Sequence, residues 1–365
     1  MKFGVIINRK LIDRNSSNPY QKLYRYVEEM EDLGYDLGWC GQHRFSDKTA
    51  FGGDTASEPS APLTMLAPLM ARTSRMEFAT NIMLVPAHHP VELAEEINTL
   101  QEISGNRFVL GAGIGYKPDE FENVGWGFKN RASRLEECIA ILRMALAGGE
   151  FSFEGKHFQL ENITVTPPPL PSTKTRIWIG AVSEPAMQRA ARIADGWEAS
   201  FADHMVDLAE KVSRYRAVAA EHGQPSTLAL MRDVHVVPSR DKIDPNFLTN
   251  VIQVWQAYGD LGAMPDRDEE SSEVVFGGKA VRLEDFAPHR AVVGTPDDCI
   301  RELESIRDLT NPEYLFITPT GVPDPDQQIE ELRLFAKEVM PHMRKDGGTA
   351  ASGKTDVSSF SAAPR

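Results

Sequence analysis

Two rhythms of apolar residues alternate along the chain. Short unbroken runs, such as residues 3–7, read as strands covered on both faces, and longer segments with apolar positions three and four apart read as helices that bury one stripe. The first run is followed by Asn18 and Pro19 in the N-cap and first-turn positions of a helix. Its stripe is Leu23, Tyr26, Val27, Met30 and Leu33, and it stops at Gly34. A strand over 35–40 comes next. The alternation then repeats as a helix over 60–71, a strand over 76–84, a helix over 91–103, a strand over 107–113, and a helix over 131–146 that Gly148 and Gly149 end. A hairpin-like excursion over 151–165 and the stiff run Pro167, Pro168 and Pro169 lead to a strand over 176–180. A helix over 185–194, a strand over 196–200, a helix over 203–222 and a strand over 228–237 follow. The last unit has Thr295 as N-cap before Pro296, a helix to 307, a strand over 313–318, and a closing helix with Ile329, Leu332, Ala336 and Val339 on one face.

Eight strands, each followed by a helix or by a helical insertion, predict an α/β fold closed as a (β/α)8 TIM barrel, one domain over 1–344. The alternative is an open doubly wound sheet, whose phosphate signature GxGxxG is not met by Gly111-Ala112-Gly113-Ile114-Gly115. Two stretches escape the alternation. Residues 240–291 form a long insertion between the seventh and eighth units, as an active-site lid would. Residues 345–365, rich in Gly, Ser, Ala and Thr, read as a disordered tail.

Charge narrows the partners. The chain has 365 residues with 39 Lys and Arg against 53 Asp and Glu, a formal net charge of −14, so a nucleic-acid backbone or an anionic membrane surface is repelled on average. Apolar runs are too short to span a bilayer, and the N-terminal stretch is too short for a signal-peptide core, which makes a cytoplasmic location the expectation. Cys40, Cys138 and Cys299 lie far apart and fit reduced thiols.

In a barrel of this kind the chemistry sits where the strands end, which directs attention to residues 39–45, 80–86, 111–116, 180–183, 197–201 and 318–321. His43 would face the barrel mouth as a proton donor or acceptor near neutral pH; a loop histidine packed on Phe45 is the plainer reading. His88 and His89 are adjacent, point apart and have no carboxylate at helical spacing, so no metal is expected. Asn81 is an amide among apolar neighbours and needs partners, either a heterocycle edge or backbone. Gly111, Gly113 and Gly115 let something flat or anionic approach the backbone, or simply make a tight turn. Ser183, before Glu184 and Pro185, marks a helix N-terminus that could hold a phosphate or could be a plain N-cap.

Together these segments resemble the bacterial luciferase-like flavin monooxygenase superfamily. Three passages carry the resemblance: WCGQHRF at 39–45, FATNIMLVPAHHPVELAEEINTLQEISGNRFVLGAGIGY at 78–116, and IWIGAVSEPAMQRAARIADGW at 177–197. VVGTPDDCIRELESI at 292–306 adds support. The resemblance implies a barrel that binds reduced FMN, or the deazaflavin F420, in its mouth. By position, His43 matches the family's catalytic histidine, which stabilises the oxygenated flavin or acts as acid and base. Asn81 and Ile82 match a strand-three bulge under the ring, where many members have a non-proline cis peptide. Gly113, Ile114 and Tyr116 match the cofactor-binding end of strand four, and Val182, Ser183 and Ala186 match the phosphate loop. The luciferases themselves carry Glu-His-His where this chain has Gln42, His43 and Arg44, and Arg where it has Ile114, so light emission is not expected.

The function expected is that of a two-component monooxygenase, in which an NAD(P)H:flavin reductase supplies FMNH2 and O2 oxygenates a small organic substrate in a water-free pocket. An F420-dependent dehydrogenase or reductase on the same barrel is the alternative, and a non-catalytic flavin-binding protein is a third reading. A homodimer through helices beside the early strands is also expected.

Overall fold

The computed structural model describes residues 1–45, 61–171, 173–201, 203–263 and 269–344. The expected tail at 345–365 and residues 264–268 of the insertion lie outside the described residues.

Eight parallel strands, β1 (Lys2–Ile6), β2 (Leu37–Cys40), β3 (Glu77–Thr80), β4 (Phe108–Ala112), β5 (Arg176–Ala181), β6 (Gly196–Ala199), β7 (Thr227–Val236) and β8 (Tyr314–Thr318), pair in chain order. β8 pairs back onto β1, with Lys2 opposite Tyr314, and the ring closes. Alternation along each strand sends one set of side chains outward to the helices and one set inward. On β4, Phe108 and Leu110 join the core under the helices while Val109 points inward with Leu37, Trp39, Ala79, Trp178, Ala229, Tyr314 and Phe316. At the N-terminal end a polar cluster plugs the barrel: Arg176 pairs with Glu77 at 2.8 Å, and the Tyr314 hydroxyl donates to Glu77 at 2.8 Å.

The helices follow the expected order with shifted ends. Asn18 and Pro19 do not begin the first helix, which runs Gln21–Asp32 with Tyr20 as N-cap, because the Gln21 N–H closes a turn on the Asn18 carbonyl. Thr295 does cap the helix Pro296–Thr310, in a capping box with Asp298. Strand three is shorter than expected. It stops at Thr80, the Asn81–Ile82 peptide is cis, and Met83 rejoins Ala112 as an isolated bridge before the turn Val85–Ala87. The excursion after β4 is a two-stranded hairpin, Glu150–Glu154 with Gln159–Thr164.

The insertion has more structure than its polar composition implies. Helix Phe247–Asp260 buries Phe247, Val251 and Trp255 against Val274, Val275 and Phe286, a small core of its own. A ninth strand, Ala291–Gly294, returns to lie parallel to the outer half of β7. The insertion is thus a crossover unit fastened to the barrel at both ends.

Candidate active site

The C-terminal ends of the strands surround a cavity of about 740 Å³. His43, Asn81, Ile82, Gly113, Ile114, Tyr116, Val182, Ser183 and Ala186 all line it, joined by Asn250, Gln253, Val254 and Tyr258 from the insertion helix.

His43 follows β2 in a short loop and is buried, with 8% of its surface exposed. Its Nδ1 lies 3.0 Å from Glu120 Oε1, and its Nε2 lies 2.9 Å from the Tyr116 hydroxyl. Glu120 is fully buried in the short helix Asp119–Glu122 and also accepts the Arg44 backbone N–H at 2.8 Å. An acceptor on that side places the proton on Nδ1, so Nε2 receives the Tyr116 O–H while the ring is neutral and donates once it is protonated. A carboxylate, an imidazole and a phenol therefore form one hydrogen-bonded chain along which a proton can pass, ending at the cavity. Tyr258 of the insertion helix packs edge-on against Tyr116, with ring centroids 6.1 Å apart. Phe45, which the plainer reading packs on His43, is 51% exposed, and the hydrogen bonds described at His43 run to Glu120 and Tyr116.

His88 serves a supporting network. Arg44 Nη2 lies 2.8 Å and Gln42 Oε1 3.2 Å from its Nε2, and burial, reinforced by Arg44, lowers its pKa to about 3. The ring is neutral and locks the Gln42–Arg44 loop to the turn after β3. Among the described residues no three His, Cys, Asp or Glu side chains are grouped to hold a metal ion.

Part of the cavity wall is shaped by Ile82. Its side chain seats against Gly113 and Gly180, where added Cβ atoms would come within 2.4 and 2.6 Å of it, so both positions must lack side chains. On the adjoining wall Ser183 occupies the N-cap of helix Glu184–Ile193, yet its side chain makes no capping bond. Its hydroxyl and the first-turn N–H groups are available to a ligand anion. Arg131, which the sequence reading passed over, begins the helix Arg131–Ala145 and lines the same cavity. Its Nε donates to the Gly115 carbonyl at 3.1 Å, and its guanidinium rests on the Phe128 ring. It supplies a cation to the wall where Ile114 has none; with Lys10 it makes two among the lining residues described.

Three residues lining the cavity carry buried polar groups without a hydrogen-bond partner among the described residues. They are Trp39 through its indole N–H, Asn81 through its amide nitrogen, and Glu198, 4% exposed on β6, through both carboxyl oxygens. Orphaned groups at a roomy, mixed polar and apolar wall fit a flat heterocycle with polar edges, and the flush glycines fit its face. Glu120, Arg131 and Glu198 were all missed. Glu120 stands among acidic neighbours in the sequence; the one local signal was Glu198, a carboxylate inside an otherwise apolar strand.

Comparison with known proteins agrees with this geometry. The model of the luciferase-like monooxygenase family matches residues 1–310. The alkanal monooxygenase alpha chain of Photorhabdus luminescens is 23% identical over 361 residues, which cover 94% of this chain and 98% of that one. Among solved structures, the oxygenating constituent of 3,6-diketocamphane monooxygenase from Pseudomonas putida, in complex with FMN, superposes with a TM-score of 0.73 at 20% identity, over 94% of this chain and 98% of its own. An F420-dependent secondary alcohol dehydrogenase, in complex with an F420-acetone adduct, superposes with a TM-score of 0.70 at 16% identity, over 94% and 99%. With its fold, its cavity and this family match together, the chain is an oxidoreductase that belongs to the luciferase-like monooxygenase family.

Proposed function

We propose that the chain is the oxygenating component of a two-component flavin-dependent monooxygenase, receiving FMNH2 from a separate NAD(P)H:flavin reductase and acting on a small organic substrate. Reduced FMN, when bound, supplies the electrons that activate O2. The chain's own residues hold it, keep water out and move protons. Ser183 with the adjacent backbone N–H groups and Arg131 would hold the phosphate, Ile82 would support the ring, and the His43–Tyr116 pair would give or take a proton at the ring's edge.

The observation that carries this reading is the cover over the cavity. A helix with its own apolar core seats Val254 and Tyr258 over a proton-carrying chain, the arrangement a reaction needs when water would divert it. The cavity cations Lys10 and Arg131 match one phosphate better than the several carboxylates of an F420 tail.

A second reading, a dehydrogenase or reductase that moves a hydride to or from F420, is favoured by the likeness to the F420-dependent alcohol dehydrogenase, which covers as much of the chain as the likeness to the FMN enzyme. Anaerobic titration of the protein with FMNH2 and with reduced F420, followed by mixing with oxygenated buffer, separates the two. The monooxygenase reading expects FMNH2 to bind more tightly and protein-bound flavin to reoxidise more slowly than free flavin. Tight F420 binding without oxygen uptake overturns it.

A further inference from the structure

Glu198 has no role in the proton-carrying chain, yet it is the most unusual group in the cavity. It projects from β6 into the barrel, over the backbone of β4. A Cβ on Gly111 would lie 2.4 Å from one of its oxygens and 2.6 Å from the other, and 1.8 Å from the Thr80 carbonyl. The carboxyl therefore occupies space that any other residue at 111 would fill. Among the described residues neither oxygen has a hydrogen-bond partner, and no cation contributes to its electrostatics. Such a group is costly to bury. Burial alone raises its pKa well above the usual carboxylate range, which makes it a neutral acid with one O–H donor and one carbonyl acceptor side by side. The Asn81 amide nitrogen, also unpartnered and also at the cavity, adds a further donor.

The complement of this set is specific. A neutral acid pairs with a group that presents N–H next to C=O, and the extra amide donor calls for a second carbonyl on the far side of that N–H. We propose that Glu198, together with Asn81, binds the imide edge of the cofactor ring, the acid taking the ring N3–H on its carbonyl oxygen and donating to one flanking carbonyl while Asn81 donates to the other. This rests on the flavin or deazaflavin reading above and deepens it; because both ring systems end in the same imide, it does not depend on which is used. It makes Glu198 a positioning residue that fixes how far the ring enters the barrel, and so which ring atom faces His43.

The test uses the whole chain and matched pairs of ligands, with and without a methyl group on ring N3: FMN, and the 5′-phosphate of 8-hydroxy-5-deazariboflavin. Affinities are measured calorimetrically in oxidised and anaerobically reduced states. Wild type should bind the parent of one pair about tenfold or more tightly than its methylated partner, the size expected when a buried acceptor loses its only donor. E198A should bind that parent about tenfold more weakly and lose the preference, since the methyl then has room. E198Q, which keeps a donor beside an acceptor, should retain it. Thermal melts establish that both variants fold. In wild type the infrared carbonyl band of a neutral carboxyl group, absent from E198Q, should shift when the parent ligand binds. Equal affinity of wild type for parent and methylated ligand, or a preference unchanged in E198A, or no shift of the carboxyl band, overturns the proposal while leaving the flavin reading in place. Failure of wild type to bind either parent overturns both.

Discussion

At the scale of single residues, the proposed function separates groups that would move protons from groups that would hold an anion. His43→Ala removes the middle of the Glu120–His43–Tyr116 chain and should lower turnover by about 10²-fold or more, with FMNH2 affinity within a few-fold of wild type. Steady-state oxygen uptake beside a binding titration measures both. Ser183→Ala should weaken FMN by about 1–3 kcal/mol and leave riboflavin nearly unchanged, because only FMN carries the phosphate; equal losses for both ligands would place the phosphate elsewhere. The sequence points to His43 and Ser183 because each follows a strand end, and to Asn81 because it is an amide among apolar neighbours; all three line the cavity. It did not disclose Glu120, since nothing local links it to a histidine 77 residues earlier. That contact exists only once β2 and β4 stand in the same ring. Arg131 was hidden for a similar reason, lying at the start of a helix that was read only for its apolar stripe.

At the scale of elements, eight strands were legible because parallel strands under helices are apolar on both faces, and their ends were less so. The apolar run Ile82, Met83 and Leu84 extends the expected β3 to residue 84, but Ile82 and Leu84 line the cavity, while Met83 packs in the main core and returns to the ladder only as an isolated bridge to Ala112. The insertion was read as lying outside the regular alternation, although Phe247, Val251 and Trp255 recur every four residues. Polar positions between them masked the stripe. That helix is tied down where Trp255 Nε1 donates to Asp233 at 3.2 Å and Asn250 donates to the Gly321 carbonyl at 3.0 Å. Asp233 in turn accepts the Thr318 hydroxyl at 2.7 Å. If the helix acts as a lid, amide hydrogen exchange in residues 247–260 should be faster than in the barrel strands of the free protein and should slow when cofactor and substrate are added. Exchange that ignores both ligands would make the insertion a fixed wall.

At the scale of the whole molecule, two buried titratable groups bend the stability curve from opposite sides. Glu198 titrates above its ordinary 4.5 in the folded protein, so from that pH upward the unfolded chain releases a proton that the folded chain keeps, and stability falls as pH rises. Glu198→Gln removes this dependence, and its advantage over wild type in urea unfolding should grow as pH rises above 4.5. His88 runs the other way. Its folded pKa near 3 lies below the ordinary 6.5, so as pH falls below 6.5 the unfolded chain takes up a proton that the folded chain refuses until about pH 3, and stability drains across that window. His88→Asn should flatten the acid limb of the same curve. The insertion helix has one more consequence at this scale. Its inward stripe of Phe247, Val251 and Trp255, with Asn250 bonded to Gly321, holds it in place, while Gln253 and Val254 on the adjoining stripe line the cavity. Anchoring and cavity lining are thus written on neighbouring faces of a single helix, and exchanges at Gln253 or Val254 would alter which molecule is admitted while the residues that secure the helix stay as they are. In a lineage diversifying its substrates, this is where new preferences would arise at the least expense to the fold.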